Sequence, residues 1–477
     1  MAGQKRIHLI AVCGTGMGAL AGMLKEAGFE VSGSDQNIYP PMSTQLERLG
    51  VKLYTGYGAQ NLREKPDLVV VGNAISRTNP EVQAMLSQDI PYLSLPQAVT
   101  SYFLKDKTPI VIVGTHGKTT TSSLMAWVLE SSGLDPSFFI GGIPINFGQN
   151  YKLGQGDFMV IEGDEYDTAF FDKGPKFLHY PTKAAILTSI EFDHGDIYPD
   201  LEAVRSAFKR FLDLMPQSGF LAAGTDFPLV EALVKEASCQ VETYGLNSSA
   251  DWQAQILKRE KEWIHFSCYH NRKKIGEFSW SMPGNHNITN ALAVMALSFH
   301  LGLEKEQLAH ALSTFKGTKR RQEVLERIEG ITLIDDFAHH PTAVRATLSA
   351  LKQHFDHGTL WAIFEPRTNT SRRHFFQKDY VSAFLPADKI IIAQIFNMHQ
   401  IPEGERFDPD MLVKDLVAAG KEAYYIERAD QIIDYLRLHL EPKDLVVIMS
   451  NGSFDNIHNR LIKTLKERFS LNPPPLF

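Results

Sequence analysis

Two glycine-rich turns constrain the fold of this chain more than any other feature of its sequence. Each turn lies between a strand-like apolar run and a helix-like run: CGTGMG occupies residues 13–18, and GTHGKTT occupies residues 114–120. A turn of this kind places unpaired backbone N–H groups at the start of a helix, where they can bind phosphate oxygens. The sequence therefore predicts two phosphate-binding sites, each built on a strand–turn–helix unit.

The rest of the chain alternates strand-like and helix-like segments, which favours α/β layers with mainly parallel sheets. Residues 252–280 depart from this pattern and alternate like antiparallel hairpins. The length of 477 residues allows two to four domains. The economical interpretation is a chain of three domains, with boundaries near residues 107 and 317.

The composition argues against several classes of partner. A net charge of -7 and a pI near 6.2 give nucleic acid or an anionic membrane no electrostatic attraction. Cys13, Cys239 and Cys268 form no CxxC pair, which indicates a reducing compartment and neither a disulfide framework nor a zinc site. We find no signal-peptide pattern and no apolar stretch of the ~18 residues that a membrane span needs. We expect a cytoplasmic protein without a membrane or nucleic-acid partner.

The first turn is close to a dinucleotide-binding fingerprint, because the next strand-like run ends at Asp35. On this motif alone, an oxidoreductase that uses a nicotinamide or flavin is as good an interpretation as any other. The turn itself establishes a seat for a pyrophosphate, which any diphosphate nucleotide, including a UDP-sugar, can occupy.

The second turn carries more chemistry than the first. Lys118 can reach terminal phosphates, and the hydroxyl of Thr119 or Thr120 can bind Mg²⁺. The spacing departs from a Walker motif, because two residues rather than four separate Gly114 from Gly117. The motif indicates ATP binding, and taken by itself it also fits a P-loop ATPase or a kinase.

Two acidic segments follow at the ends of later strand-like runs. The segments VIEGDEYD and EFDHGDIY contain Glu162, Asp164, Glu165, Asp167, Asp193, His194 and Asp196. Carboxylates and an imidazole at strand ends beside a phosphate-binding turn suit Mg²⁺, which prefers oxygen ligands. We expect these segments to hold a cation next to the second turn.

In combination, these motifs resemble those of the Mur ligase family, whose members use ATP to add amino acids or peptides to UDP-N-acetylmuramate. GTHGKTTT, EGDEYD, EFDHGD, GNHNITNALA, KRRQE and DDFAHHPTAV stand in family order over essentially the whole chain. The resemblance implies an α/β protein with a Rossmann-like UDP-sugar domain at 1–107, a P-loop ATP-binding domain at 108–317 and a Rossmann-like acceptor domain at 318–477. An oxidoreductase would leave the second turn unexplained, and a P-loop ATPase would leave the first unexplained.

The resemblance also implies two nucleotide sites. The predicted UDP-sugar site consists of Gly14, Thr15, Gly16, Met17, Gly18, Ser34, Asp35, Asn73 and Ala74. The predicted ATP site consists of Gly114, Thr115, His116, Gly117, Lys118, Thr119, Thr120, Asn287, Asn290, Arg321 and Asp336. In this scheme Lys118 contacts the β- and γ-phosphates, and Arg321 closes onto ATP from the third domain.

Mg²⁺ is the metal that the resemblance implies, with Thr119, Glu165 and His194 as its matched ligands. The predicted catalytic set consists of Lys118, Glu165, His194 and Arg321. Several branches of the family also use a carbamylated lysine on the helix after this histidine. Lys209 stands at the corresponding place, and it is a ligand only if carbamylated.

The predicted acceptor-side residues are His339, His340, Arg367 and Asn369. A transition-metal site at the two histidines is an alternative. Within the family, NIYPPMSTQLE and EPRTNT look like the members that rejoin a recycled tripeptide, L-Ala-γ-D-Glu-meso-diaminopimelate, to UDP-N-acetylmuramate. L-alanine is the alternative acceptor, and we expect a monomer or a weak homo-oligomer.

Overall fold

The computed structural model describes residues 5–38, 42–247, 249–260 and 263–471. Among these residues we find no helix with the length and apolar character of a membrane span. Residues 39–41 of the NIYPPMSTQLE motif, on which part of the tripeptide interpretation rested, lie outside the described residues. Residues 472–477 of the Pro-rich tail lie outside them as well.

The first unit of the chain is a parallel sheet with helices. Its strands are β1 (Arg6–Ile10), β2 (Glu30–Asp35), β3 (Lys52–Thr55), β4 (Leu68–Val71) and β5 (Tyr92–Ser94). Its helices are α1 (Thr15–Glu26), α2 (Met42–Arg48), α3 (Pro80–Ser87) and α4 (Leu95–Phe103). The five strands lie in the order β3-β2-β1-β4-β5.

The middle unit contains a ten-stranded mixed sheet and a separate hairpin. Its strands are β6 (Thr108–Val113), β7 (Ser137–Phe139), β8 (Tyr151–Lys152), β9 (Phe158–Glu162), β10 (Asp167–Ala169), β11 (Asp172–Pro175), β12 (Ala184–Leu187), β13 (Phe220–Gly224), β14 (Gln240–Gly245), β15 (Trp252–Glu260), β16 (Trp263–His270) and β17 (Lys273–Trp280). Its helices are α5 (Lys118–Ser131), α6 (Leu201–Leu214), α7 (Pro228–Leu233), α8 (Asn285–His300) and α9 (Lys305–Thr314). The strand order is β17-β16-β15-β14-β13-β12-β6-β9-β7-β8, and β10 pairs with β11.

The third unit is a six-stranded sheet with helices. Its strands are β18 (Glu323–Ile328), β19 (Ile331–Asp336), β20 (Leu360–Phe364), β21 (Lys389–Ile392), β22 (Glu422–Tyr425) and β23 (Leu445–Met449). Its helices are α10 (Pro341–His354), α11 (Asp379–Phe384), α12 (Pro409–Ala418), α13 (Ala429–His439) and α14 (Ile457–Leu471). The order is β18-β19-β23-β20-β21-β22, and β18 runs antiparallel to β19 while the other pairs are parallel.

The structure confirms the mixed α/β fold with three sheet-and-helix units. It also confirms the antiparallel pattern of residues 252–280, which form β15, β16 and β17. Among the described elements, none crosses residue 107 or 317, because α4 ends at Phe103, β6 begins at Thr108, α9 ends at Thr314 and β18 begins at Glu323. The domain boundaries themselves stay predictions.

Strand order in the middle sheet explains where its functional segments meet. β6, which leads into GTHGKTT, lies between β9 and β12 and runs parallel to both. Because parallel strands end at the same edge of a sheet, the turn after β6 lies beside the segments that follow β9 and β12. Those segments are EGDEYD and EFDHGD.

The first unit packs against the middle unit through α1 and β5. A Cβ on Gly22 of α1 would lie 2.3 Å from the hydroxyl of Tyr151 in β8, so this helix covers that edge of the middle sheet. Phe171, at the tip of the β10–β11 hairpin, meets Tyr92 of β5 edge to face, with ring centroids 5.0 Å apart.

The other edge strand of the ten-stranded sheet, β17, carries the charged residues Lys273, Lys274 and Glu277.

Gly33→Ala is expected to destabilise the first turn. A Cβ on Gly33 would lie 2.6 Å from the Cβ of Val12, a fully buried residue between β1 and α1. The side chain cannot swing away at its Cβ, so the backbone must shift, at a cost of about 1–3 kcal/mol. Urea unfolding measures this loss. Gly404→Ala is the matched control, because its Cβ meets no described atom within 4 Å, and equal stability of both variants would contradict the prediction.

Candidate active site

The carboxyl ends of β6, β9 and β12 border a cavity of about 310 Å³, and the third unit forms its opposite wall. Most of the predicted ATP-site residues line this cavity: Thr115, His116, Gly117, Lys118, Thr119, Thr120, Asn287, Asn290, Arg321 and Asp336. Glu165, His194 and His339 line it too. The structure therefore brings the predicted ATP, metal and catalytic residues into one place, with contributions from two units.

The second turn is fixed on the neighbouring strand end. Gly114 and Gly117 have φ values of +133° and +80°, which favour glycine. A Cβ on Gly114 would also lie 2.1 Å from the hydroxyl of Thr188. The backbone N–H of Thr115 donates to the carbonyl oxygen of Ser189 at 2.9 Å. The turn leads directly into α5, which begins at Lys118, so the N-terminus of this helix lies at the cavity.

Lys118 reaches from this turn to the acidic segment after β9. Its Nζ donates to both carboxylate oxygens of Glu165, at 2.7 and 3.0 Å, and to the carbonyl oxygen of Gly114 at 2.5 Å. Burial opposes both charges, but each charge stabilises the other. As a result, the pKa of Lys118 lies above its ordinary value and the pKa of Glu165 lies below its own.

His194 is the second cation on Glu165. Its Nε2 lies 3.0 Å from Glu165 Oε1. Burial alone would lower the pKa of His194, but the hydrogen bond and charge of Glu165 outweigh it and raise the pKa to about 9. The imidazole therefore carries a proton at neutral pH, and its nitrogen becomes available to a metal only after that proton leaves.

The donors around Glu165 fit a hard divalent cation. The carboxylates of Glu162, Asp164 and Glu165 and the hydroxyl of Thr119 offer the oxygen ligands that Mg²⁺ prefers. Burial would raise the pKa of Asp164, but Lys176, 2.7 Å from its Oδ2, keeps that pKa below the ordinary value. Four oxygen-bearing side chains thus face one side of the cavity beside the phosphate-binding turn.

Arg321 joins the third unit to the second turn. Its guanidinium donates to the hydroxyl of Thr119 at 3.1 Å, and that hydroxyl donates to Glu162 at 2.8 Å. The guanidinium also lies over the ring of Phe337, 4.5 Å from its centroid. The carboxylate of Asp336 is a nearby negative charge for Arg321, and it accepts a hydrogen bond from the backbone N–H of Gln322 at 2.8 Å. Burial raises the pKa of Asp336 and lowers that of Arg321.

The other end of the cavity has amides and apolar groups. Asn290 donates to Asn287 Oδ1 at 3.2 Å, and Asn287 donates to Gln322 Oε1 at 3.1 Å. The sequence analysis missed several residues that line this end: Asp226, Phe227, Tyr244, Met282, His286 and Gln322. Aromatic and apolar walls with a few amides suit a planar base. The position of Phe227 and Tyr244 near the carboxyl ends of β13 and β14 was the available signal for them.

His340 lies beside His116 and Glu191, which makes a group of three residues with the chemistry of metal ligands. His116 Nε2 lies 2.8 Å from Glu191 Oε2, and the two imidazole rings are 4.7 Å apart. Both nitrogens of His340 are engaged, however. Nε2 lies 3.2 Å from the carbonyl oxygen of Phe192, and Nδ1 accepts from the N–H of Thr342 at the start of α10. Burial, aided by His116, lowers the pKa of His340 to about 3. We therefore interpret His340 as a neutral contact between two units rather than a metal ligand.

The predicted UDP-sugar residues gather at the end of β1. Gly14 caps α1, and Asp35 accepts from the backbone N–H of Cys13 at 2.9 Å. Ser34 and Met17 are buried, and the Ser34 hydroxyl donates to Glu81 at 3.0 Å inside the unit. Asn73 and Ala74 follow β4, which neighbours β1. The backbone N–H groups of the turn, rather than the Ser34 or Met17 side chains, are therefore placed to meet a pyrophosphate.

Of the four predicted acceptor-side residues, His339 lines the cavity and the other three do not. His339 lines the cavity, and its Nε2 lies 3.6 Å from Asp193 Oδ2. Arg367 pairs with Glu365 at 3.2 Å and lies over the ring of Phe396. The Asn369 amide nitrogen donates to Asp196 at 2.8 Å. Arg367, Asn369 and His340 are not among the described residues that line the cavity.

Lys209 does not join the site. It lies on α6 and pairs with Asp213 and, at 4.0 Å, with Glu236 on the surface. The helix instead presents Ala203, Ala207 and Arg210 toward Tyr198, the residue that donates to the carbonyl oxygen of Glu165 at 2.6 Å. Lys209 is therefore paired outside the cavity in this structure, and its role as a ligand when carbamylated stays a prediction.

Three family models match the chain in succession. The model described as "Mur ligase family, catalytic domain" matches residues 6–105, "Mur ligase middle domain" matches 112–298, and "Mur ligase, glutamate ligase domain" matches 320–452. The chain belongs to the Mur ligase family. Each of the three matched segments lies within a different unit of the fold.

Several Mur ligases are similar to this chain over nearly its full length. The UDP-N-acetylmuramate–L-alanyl-γ-D-glutamyl-meso-2,6-diaminoheptandioate ligase of Haemophilus influenzae is 38% identical, and the match covers 97% of this chain and 100% of that one. A UDP-N-acetylmuramate–L-alanine ligase from Desulforamulus reducens is 36% identical over 98% and 99% of the two chains. The crystal structure of a murein peptide ligase from Psychrobacter arcticus matches with a TM-score of 0.73 at 35% identity, covering 97% and 98%.

His286 is expected to make the stability of this Mur ligase depend on pH. Burial lowers its pKa to about 4, below the ordinary 6.5. The unfolded chain therefore takes up this proton first, so the stability that depends on a neutral His286 is present above pH 6.5 and is lost as pH falls toward 4. Between pH 7 and pH 4.5 the free energy of unfolding falls in both proteins. We expect the fall in His286→Gln to be smaller than that in the natural protein by roughly 1–3 kcal/mol.

Urea unfolding at the two pH values measures this difference for His286→Gln. His399→Gln replaces an exposed histidine and serves as the control. An unchanged pH dependence in His286→Gln would show that the His286 imidazole is not the group responsible.

Proposed function

We propose that this protein is an ATP-dependent ligase that joins L-Ala-γ-D-Glu-meso-diaminopimelate to UDP-N-acetylmuramate in peptidoglycan recycling. The observation that carries the proposal is the cavity in which Lys118, Glu165 and Arg321 meet beside a phosphate-binding turn, while a second such turn stands in the first unit. The 38% identity to a ligase named for this tripeptide supports the acceptor. ATP is the proposed co-substrate and Mg²⁺ the proposed metal.

The first step in this proposal makes an acyl phosphate. The lactyl carboxylate of the UDP-sugar attacks the γ-phosphorus of ATP, and ADP leaves with the electrons of the broken P–O bond. Both reactants are anions, so cations must offset their repulsion. Lys118 and Arg321 supply positive charge from two different units, and bound Mg²⁺ would add to it.

The second step forms the amide. The free amine of the acceptor attacks the acyl carbon, inorganic phosphate leaves, and the amine nitrogen loses a proton. The main task of the protein is to align the reacting groups and to keep water from the acyl phosphate. His339, which lines the cavity next to Asp193, is the proposed acceptor-side contact in this step.

L-alanine is a second candidate acceptor, because an alanine ligase is 36% identical to this chain over nearly its full length. Both acceptors present the same amine of an L-alanine residue, so the groups around Lys118 do not distinguish them. The tripeptide has additional distal charges, and Arg367 in the EPRTNT segment is the proposed partner for one of them.

We also propose the domain limits 1–107, 108–317 and 318–477, which the three sheets and three family matches support. The pattern of three separate cysteines supports a cytoplasmic location. The negative net charge supports a protein without a nucleic-acid or anionic membrane partner. A monomer or weak homo-oligomer stays our prediction for its assembly.

Lys118→Ala is expected to abolish ligation and to leave UDP-N-acetylmuramate binding in the first unit intact. The substitution removes one of two cations from the buried carboxylate of Glu165 and removes the contact to the terminal phosphates. Phosphate release measures the reaction, and calorimetry measures UDP-sugar binding. Lys183→Ala, at an exposed position of the same unit, is the control. Loss of both properties in a folded Lys118→Ala protein would contradict the assignment of two separate sites.

The acceptor is tested by phosphate release with ATP, Mg²⁺ and UDP-N-acetylmuramate, with the tripeptide or L-alanine as the amine and product mass as the readout. We expect turnover with the tripeptide and little with L-alanine. Turnover with L-alanine alone would make the protein an alanine ligase, and turnover with neither would refute the proposed reaction.

A further inference from the structure

The 191–196 loop follows β12 and is held by the third unit along most of its length. Five of its residues contact that unit: Glu191, Phe192, Asp193, Gly195 and Asp196. Glu191 accepts from the hydroxyl of Thr342 at 3.0 Å. A Cβ on Gly195 would lie 2.6 Å from the ring of Phe375, so backbone and ring are in close contact.

Asp193 makes the central contact of this loop. Its Oδ1 accepts from the hydroxyl of Thr370, in the third unit, at 2.8 Å, and from the backbone N–H of His194 at 2.7 Å. Asp193 and Thr370 are 6% and 3% exposed, so water does not replace this bond easily. A hydrogen bond to a buried charged group is worth more than a neutral one.

His194 points the opposite way from its neighbours in the loop, toward Glu165. Its backbone has φ of +54°, in the left-handed region that residues other than glycine seldom adopt. Such a conformation persists where the surroundings over-determine it. Here the Asp193 carboxylate holds the N–H of His194, and the N–H groups of Ile197 and Tyr198 donate to its carbonyl oxygen at 2.9 and 3.0 Å.

We infer that Asp193 and Thr370 are positioning residues that fix the backbone of His194, so that docking of the third unit and assembly of the Glu165–His194 pair are one event. The inference rests on the proposed function, with Glu165 and His194 as the Mg²⁺ ligands that the family resemblance implies. Thr370 is not among the described residues that line the cavity. It acts on the cation site only through Asp193, from the other unit.

Thr370→Val tests this inference because it keeps the shape of the side chain and removes the hydroxyl. We expect the complex of this variant with ADP to bind Mn²⁺ about 5- to 20-fold more weakly than that of the natural protein, because one hydrogen bond to a buried charge is lost. Electron paramagnetic resonance measures the affinity through the concentration of free Mn²⁺. Thr370→Ser restores the hydroxyl and is expected to bind within about twofold of the natural protein. Thr332→Val, at a half-buried position of β19, is expected to change nothing.

Two kinds of failure are separable in this experiment. Equal Mn²⁺ affinity in Thr370→Val and the natural protein would overturn the inference and leave the proposed function standing. Absence of Mn²⁺ binding beyond that of free ADP in the natural protein would refute the proposed cation site itself. Weak binding in Thr370→Val without recovery in Thr370→Ser would assign the effect to general packing, which also overturns the inference.

Phe375→Ala provides a second variant in case Thr370→Val does not fold. The ring of Phe375 is 41% exposed and packs on Gly195, so folding should tolerate its loss. Hydrogen exchange at the amides of residues 194–198 is expected to be faster in this variant, together with weaker Mn²⁺ binding. Unchanged exchange and unchanged affinity would overturn the inference.

Discussion

Glu165 is a buried carboxylate shared by two cations, and the middle unit is arranged around it. The acidic segment after β9 provides Glu165, the turn after β6 provides Lys118, and the loop after β12 provides His194. Burying any one of these charges alone costs several kcal/mol, and the network removes that cost by pairing. The segments that follow three neighbouring strands thus supply the groups of one charge network, so displacement of any one of them removes at least one ion pair.

The third unit completes this centre in two physically different ways. Arg321 brings positive charge to Thr119, at the start of α5. Hydrogen bonds from the third unit also fix the conformation of the 191–196 loop. They come from Thr342, His340 and Thr370 and reach side chains and backbone of the loop. A substitution in the third unit can therefore alter the charge in the cavity or the geometry of His194, and the two effects need not accompany each other.

The sequence was sufficient to predict those parts of the site whose chemistry is local to a short motif. The second turn, the acidic strand ends and Asn287 with Asn290 each occupy a few consecutive residues, and the fold of the middle unit brings them to one cavity. Phe227 and Tyr244 were missed because their one signal, a position near the carboxyl end of a strand, does not by itself distinguish a cavity residue from any other aromatic residue. The direction of the Lys209 side chain depends on the rotation of α6, and the bond between Thr370 and Asp193 depends on how two units pack. Neither of these is encoded in a spacing along the chain.

The edges of the ten-stranded sheet bear on how copies of this chain can associate. An uncovered strand edge is a template on which another chain can add a strand. At one edge, α1 lies over β8 with Gly22 against Tyr151, and at the other, β17 carries Lys273, Lys274 and Glu277. The edge at β8 is covered by α1, and the edge at β17 carries charged side chains that disfavour pairing with another strand. Association of two copies by adding a strand to this ten-stranded sheet is therefore disfavoured at both of its edges.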